Sequence, residues 1–168
     1  MKTQDMQATA FASPMGRLVI IAEHSAISRI ILPGTAIEKD EQRIPKTDSG
    51  NHPVLDRCCR ELEEYFARKR RVFSVPVDQK GTLFQQQVWQ LLVRIPFGRT
   101  ASYGALAEVL DNKKAARAVG GAANKNPLPI IIPCHRLIGR DGSLTGFASG
   151  LDNKTWLLRH EGGLPPGS

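Results

Sequence analysis

The chain predicts two unlike halves: an α/β N-terminal domain over residues 1–80, a small antiparallel sheet plus a helix, followed by a mainly α C-terminal domain over 81–168 with a helix-turn-helix. Three observations carry that division. Two runs rich in β-branched residues, 16–22 and 26–32, flank Glu23-His24-Ser25, a polar stretch suited to a hairpin turn. Leu55, Cys58, Cys59, Leu62, Tyr65 and Phe66 recur at helical spacing. From Gly81-Thr82 onward the pattern changes to consecutive short helical stripes.

In the first half, the hairpin is followed by residues 33–50, which are polar, lack periodicity and read as a loop with room for one short helix. The helical stripe predicts a helix from about 53 to 67, with Lys69-Arg70-Arg71 supplying cations suited to its C-terminal end. Cys58 and Cys59 lie on or beside that stripe, where a free cysteine packs as a small hydrophobe. Two adjacent cysteines and His52 lack the spacing of a zinc site, so no metal is expected.

In the second half, Thr82-Leu83-Phe84-Gln85 fits a capping box, with a hydroxyl at the N-cap and Gln three residues later. Phe84, Val88, Leu91, Leu92 and Ile95 mark one face of the helix that follows, and Pro96 and Gly98 stop it. A second helix is predicted from Ser102 or Tyr103 to Leu110, a tight turn at Asp111-Asn112, and a third helix over 113–124. Two short helices joined by a tight turn, the second bearing small and basic residues, read as a helix-turn-helix. Arg117 is the large side chain amid its alanines. An alanine-rich packing helix with a solvated arginine explains this segment equally well by itself.

Bulk properties narrow the choice. With 168 residues, 41% hydrophobic and 23% charged, the chain has the composition of a soluble globular protein. No apolar run approaches bilayer length, and residues 1–6 lack the apolar segment of a secretion signal. Three cysteines, two of them adjacent, make a poor disulfide framework, and a reducing, cytoplasmic setting is expected. The formal net charge of +7 is uneven: 13 Lys and Arg face 11 Asp and Glu over residues 1–80, but 10 face 5 over 81–168. An acid-poor basic half points to an anionic partner, most simply a phosphate backbone, and tips the helix-turn-helix toward DNA contact.

The most chemical stretch is Pro133-Cys134-His135-Arg136, a thiol beside an imidazole. Ile130-Ile131-Ile132 before it reads as a strand-like run delivering the thiol to a fixed place. Prolines at 127, 129 and 133 stiffen the approach and remove backbone donors. The residues by themselves leave Cys134 open as a nucleophile, a metal ligand or a core residue.

Taken with Ala116-Arg117-Ala118-Val119-Gly120 and Asn126-Pro127, this motif closely resembles the O6-alkylguanine-DNA alkyltransferases, also called methylated-DNA–protein-cysteine methyltransferases. The likeness runs from about Thr82 through Trp156-Leu157-Leu158-Arg159-His160-Glu161-Gly162, while the first half matches only in general plan. The resemblance implies an RNase H-like α/β N-terminal domain and a winged-helix-like helix-turn-helix in the C-terminal domain. It implies direct-reversal DNA repair without a cofactor. The helix-turn-helix enters the minor groove of double-stranded DNA, and O6-methylguanine, or less well O4-methylthymine, is flipped out of the stack. A cysteine thiolate then takes the alkyl group irreversibly, once per molecule. The implied state is a monomer in solution, free to assemble cooperatively on DNA, in the cytoplasm or on a bacterial nucleoid.

Carried onto this chain, the resemblance makes Cys134 the alkyl acceptor and His135 its base, acting through a water. Glu161 orients that histidine, in the logic of a hydrolase triad. Asn126 ties the helix-turn-helix to the active-site segment. Arg117 is the finger that fills the space left by the flipped base, and Tyr103 crowds the 3′ phosphate and protonates the leaving guanine. Gln85, Gly104, Asn112, Ala116 and Arg140 fall where relatives contact DNA, Arg140 in a wing-like turn, Gly139-Arg140-Asp141-Gly142. Pro129, Leu137, Phe147, Ala148 and Ser149 fall at the alkyl pocket.

Gly146-Phe147-Ala148-Ser149-Gly150 departs from the family pattern, in which Gly-Tyr and further glycines are common. Phe147 loses a hydroxyl, Ala148 offers none to O6, and Ser149 replaces a glycine, so pocket size is not legible here. Cys134 itself argues against a non-catalytic binder of alkylated DNA, in which relatives carry another residue. A cysteine hydrolase leaves the basic half unexplained, and a transcription factor leaves the thiol unexplained.

Overall fold

The computed structural model describes residues 5–37, 39–48 and 50–164. The first four residues, part of the stretch read above for a secretion signal, lie outside the described residues. Three strands, β1 (Met6–Ser13), β2 (Gly16–Glu23) and β3 (Ala26–Ile31), form an antiparallel sheet in the order β1-β2-β3. Glu23 pairs with Ala26, so His24 and Ser25 make a two-residue turn, and His24 takes a positive φ of 53°. Strand β1 was not legible in sequence. Three of its eight residues are alanine, a weak strand former, and pairing along the whole of β2 decides its conformation.

The sheet buries both faces. Phe11 and its cross-strand partner Leu18 face α2 (Pro53–Phe66), where Phe66 stacks on Phe11 at 6.1 Å between ring centroids. The opposite face packs Met6, Ala8, Ile21 and Ile31 with Ile44, just beyond the short helix α1 (Lys39–Gln42). Pro53 starts α2 at a position where its missing N–H is harmless. Burial pushes the Cys58 thiol far above its ordinary value and lifts the half-buried Cys59 to about 11, so neither is a ready thiolate. The expectation for Lys69-Arg70-Arg71 is corrected: the last turn of α2 carries no basic residue, and Arg68 leaves the helix with φ 60°. Arg70 instead turns back to Glu64 at 2.6 Å.

The second unit contains α3 (Leu83–Val93), β4 (Ala101–Ser102), α4 (Tyr103–Val109), α5 (Ala116–Asn124), a 3-10 turn at Cys134–Arg136, β5 (Leu137–Ile138) and α6 (Leu151–Glu161). Both halves of the capping box close at the start of α3, Gln85 N–H on Thr82 Oγ1 and Thr82 N–H on Gln85 Oε1. Trp89, buried on α3, donates from Nε1 to the Ala122 carbonyl at 2.9 Å and so pins α3 to α5. Helices α4 and α5 form the helix-turn-helix, with Asp111 at φ 57° in the turn.

Two expectations fail here. Helix α5 begins at Ala116, not at 113, because Ala115 N–H closes a turn onto the Asn112 carbonyl and keeps both lysines outside the helix. The run 130–132 is a turn, not a strand. Its flanking prolines donate nothing to a ladder, Ile132 N–H returns to the Leu128 carbonyl at 2.8 Å, and Ile130 is held at φ 75°. A β-branched residue at positive φ is strained, and it is held there by complete burial at 1% exposure. The pairing of β4 with β5, Ala101 with Leu137 and Ser102 with Ile138, ties the thiol segment to the start of α4. The chain divides into two compact units, 1–80 and 81–168. Among the described residues no helix is long and apolar enough to cross a membrane.

Candidate active site

Cys134 opens the 3-10 turn and is buried. Its Sγ lies 3.1 Å from Asn126 Nδ2, and the same amide donates to the Ile132 carbonyl at 2.7 Å. Asn126 Oδ1 in turn accepts from Leu128 N–H at 2.9 Å. One side chain just past α5 therefore fixes the turn 126–134 at three points. Burial lifts the Cys134 thiol above its ordinary value, while the Asn126 hydrogen bond and the charge of Lys154 pull it down. The net direction is upward, so the resting group is a thiol.

His135 is completely buried, and its Nε2 lies 2.8 Å from Glu161 Oε1. Burial would push the Glu161 carboxyl up. Hydrogen bonds from His135 and Arg136 outweigh it and hold the carboxyl far below the usual carboxylate range. Glu161 is thus an anion, and His135 Nε2 donates to it. Burial lowers the His135 value more than Glu161 raises it, so the imidazole is neutral and Nδ1 is its basic nitrogen. That atom is buried without a hydrogen-bond partner among the described residues. Arg136 completes the arrangement, with Nε and Nη2 each 2.8 Å from a Glu161 oxygen and Nη1 on the Ile95 carbonyl at 2.6 Å.

A groove of about 380 Å³ opens beside α5, lined by Tyr103, Ala116, Arg117, Gly120, Thr145 and Gly146 among others. The Tyr103 ring lies against α5 at Gly120, where an added Cβ would sit 3.5 Å from the ring, in ordinary contact. The Tyr103 hydroxyl donates to the Thr145 carbonyl at 2.7 Å. Arg117 is exposed on α5. Arg140 is exposed in the 139–143 turn, its guanidinium against Gly104, where a Cβ would come within 3.2 Å.

The fold thus gathers Cys134, His135, Glu161 and Asn126 around one turn, and Tyr103, Ala116 and Arg117 around one groove. Asn112 is exposed in the helix-turn-helix turn, and the Gln85 side chain is occupied in its cap. Pro129, Phe147 and Ser149 are partly buried, Ala148 is exposed and Leu137 is buried; none of them lines the groove. Sequence reasoning missed Lys154, Thr145 and the part played by Arg136. Lys154 had a signal: with Leu157, Leu158 and Glu161 it recurs at i, i+3, i+4, i+7 on the buried stripe of α6. Among the described residues no group of three or more His, Cys, Asp or Glu side chains is placed to hold a metal.

A helix-turn-helix unit with a buried thiol beside a neutral imidazole defines a class, a DNA-directed protein whose chemistry is at sulfur. Comparison with known proteins gives the family. Residues 83–163 match the model of the 6-O-methylguanine DNA methyltransferase DNA-binding domain, and residues 6–79 that of the ribonuclease-like domain of the same proteins. The constitutive methylated-DNA–protein-cysteine methyltransferase of Bacillus subtilis is 42% identical over 154 residues, covering 91% of this chain and 93% of its own. The crystal structure of Mycobacterium tuberculosis O6-methylguanine methyltransferase superposes with a TM-score of 0.85 at 34% identity, covering 97% of this chain and 96% of that one. A crystal structure of Mycobacterium tuberculosis OGT in complex with DNA gives 0.83 at 35% identity, covering 93% and 92%. The chain belongs to the 6-O-methylguanine DNA methyltransferase family.

Proposed function

We propose that this protein is a methylated-DNA–protein-cysteine methyltransferase that repairs O6-methylguanine by direct reversal, with Cys134 as the single-use acceptor. The observation that carries the assignment to Cys134 is the Asn126 amide on its sulfur, beside a neutral imidazole whose other nitrogen is committed to a carboxylate. Residues 1–80 form the ribonuclease-like domain and 81–168 the DNA-binding and alkyl-transfer domain. The helix-turn-helix engages the minor groove, and Arg117 fills the space of a guanine rotated out of the stack.

His135 Nδ1 accepts the thiol proton through a water, and the Glu161 anion stabilises the imidazolium that forms. The thiolate attacks the methyl carbon; the S–C bond forms, the C–O6 bond breaks and its electron pair leaves with the guanine. Burial keeps the Tyr103 phenol protonated, with a raised value, so it is able to donate to the departing base. Sulfur keeps the methyl group, which ends the molecule's working life. The residues in this scheme need no cofactor. A monomer acting on DNA in the cytoplasm or nucleoid completes the proposal.

The test is incubation with a duplex oligonucleotide bearing O6-methylguanine, followed by peptide mass spectrometry. Stoichiometric methylation of Cys134 is expected. A folded sample with Cys134 unmodified and the lesion intact overturns the assignment, and a non-catalytic binder of alkylated DNA would give that result.

A further inference from the structure

Pro96 and Gly98 stop α3, and the turn they build has a second neighbour. Arg99 N–H closes onto the Pro96 carbonyl at 3.0 Å, with Gly98 third in the turn at φ 79°, the conformation that a type II turn asks of glycine. This turn abuts the buried relay at three points. The Ile95 carbonyl just before it accepts from Arg136 Nη1 at 2.6 Å. The Phe97 ring centroid stands 5.9 Å from the Arg136 guanidinium carbon and 6.5 Å, edge to face, from the ring of His160, the neighbour of Glu161. Gly98 faces the main chain of Glu161, the last residue of α6. A Cβ on Gly98 would stand 2.9 Å from the Glu161 carbonyl oxygen. Backbone atoms do not yield to a side chain at that distance, so one of the two segments would have to move.

Glycine is therefore required at 98 for two separate reasons. The turn needs a positive φ, which asparagine also adopts. The approach to Glu161 needs the missing Cβ, which no other residue supplies. We propose that the turn 96–99 is a positioning element of the transfer, with Gly98 as its positioning residue: the bare backbone at 98 lets the end of α6 seat against the turn, while Ile95 and Phe97 fix Arg136, so that the Glu161 carboxylate is held 2.8 Å from His135 Nε2. Gly98 carries no group that could react and acts through Glu161. The oxygens of that carboxylate serve His135 and Arg136 together, so a shift of the main chain at 161 loosens both contacts at once. A displaced carboxylate leaves His135 without its orienting acceptor and the imidazolium without its counter-charge.

The inference rests on His135 and Glu161 serving Cys134, yet its first readout needs no methyl transfer. In the wild type the His135 Nε2–H, donated to a carboxylate, is expected as a downfield imidazole proton by NMR. In Gly98→Ala and Gly98→Asn that resonance is expected to move upfield. Single-turnover methylation of Cys134 is expected to slow at least about 10-fold, since a misplacement of about 1 Å can cost about 100-fold. DNA affinity in a gel shift is expected to be kept. Gly98→Asn separates the two demands, because it meets that of the turn and fails that of the contact. A Gly98→Asn protein with the wild-type resonance and rate overturns the proposal, since the turn alone would then explain the glycine. Equal slowing by Gly98→Ala with and without Glu161→Gln also overturns it: a residue that works through the carboxylate has less than about 2-fold left to remove once that charge is gone. Should neither variant fold, the half-buried Phe97 decides through Phe97→Leu. The same upfield shift and about 3-fold slower transfer are expected from loss of the ring beside Arg136, and an unchanged resonance and rate overturn the proposal. Failure of the wild type to take a methyl group from the oligonucleotide, with the NMR shifts as expected, would count against the repair function alone.

Discussion

Asn126 holds Cys134 at 3.1 Å while binding the Ile132 carbonyl that precedes it, so the residue ending the recognition-helix segment also sets the position of the thiol. Asn126→Ala would strip a hydrogen bond from the sulfur, leave the Ile132 carbonyl with the Cys134 N–H alone, and leave the buried Leu128 N–H unpaired. An orphaned group of this kind costs about 1–3 kcal/mol, so a lowered urea midpoint and a loss of transfer are expected together. Unchanged single-turnover methylation of Cys134 in this variant would contradict the role given to the amide.

Glu161 and Arg136 form a two-pronged pair behind His135. Arg136→Met would leave the carboxylate buried with only a neutral imidazole, a loss of about 3 kcal/mol in unfolding free energy. Glu161→Gln removes the charge that stabilises an imidazolium while preserving shape. About 100-fold slower methylation is expected, the lower end of a general-base contribution, with DNA affinity kept. A gel-shift titration beside single-turnover kinetics separates the two effects.

The same pair sets an acid limb of stability. Glu161 titrates well below its unfolded value, so its contribution is present above about pH 4.3 and is lost as the pH falls toward the folded value. His135 is buried neutral with a lowered value; the unfolded chain takes up its proton first, so stability also declines as the pH drops below about 6.5. Both effects have one sign. The urea midpoint should fall steadily from pH 7 to about pH 3, the part above about pH 4.3 owing to His135, and Glu161→Gln should flatten the part below it. A midpoint that rises on acidification contradicts the assignment.

Arg117 lines the groove and is exposed, without a structural duty visible among the described residues. Arg117→Ala should leave thermal stability within about 0.5 kcal/mol of the wild type. It should slow methyl transfer from duplex DNA by at least about 10-fold, the loss of one well-placed contact, and spare reaction with the free alkylated base. Equal loss on both substrates would refute a finger role.

Much of this molecule was legible in one dimension because the relevant physics is local. The capping box at Thr82 and Gln85 joins neighbours three residues apart, the hairpin at His24-Ser25 closes on itself, and the stripes of α2 and α3 follow from helical geometry. The pairing of Cys134 with His135 and the resemblance it carries came from adjacent letters. Strand β1 escaped because alanine and serine have little preference of their own, and its partner strand chose for them. Residues 130–132 misled for the opposite reason: their strand propensity is real, but three prolines and burial against the rest of the unit override it.

The sequence by itself determined the chemistry available: a thiol, an imidazole, a carboxylate, an amide and an acid-poor basic half. Only the tertiary structure decided which of these groups meet. Asn126 reaches Cys134, Arg136 clamps Glu161, and Lys154 turns inward to Tyr103 and Thr145 across 51 and 9 residues of chain. Periodicity reports which side of a helix is buried and says nothing of what waits across the interface. The charge states of Cys134, His135 and Lys154 follow from that second fact, because burial and the neighbouring charges, not residue type, set the balance between their two forms.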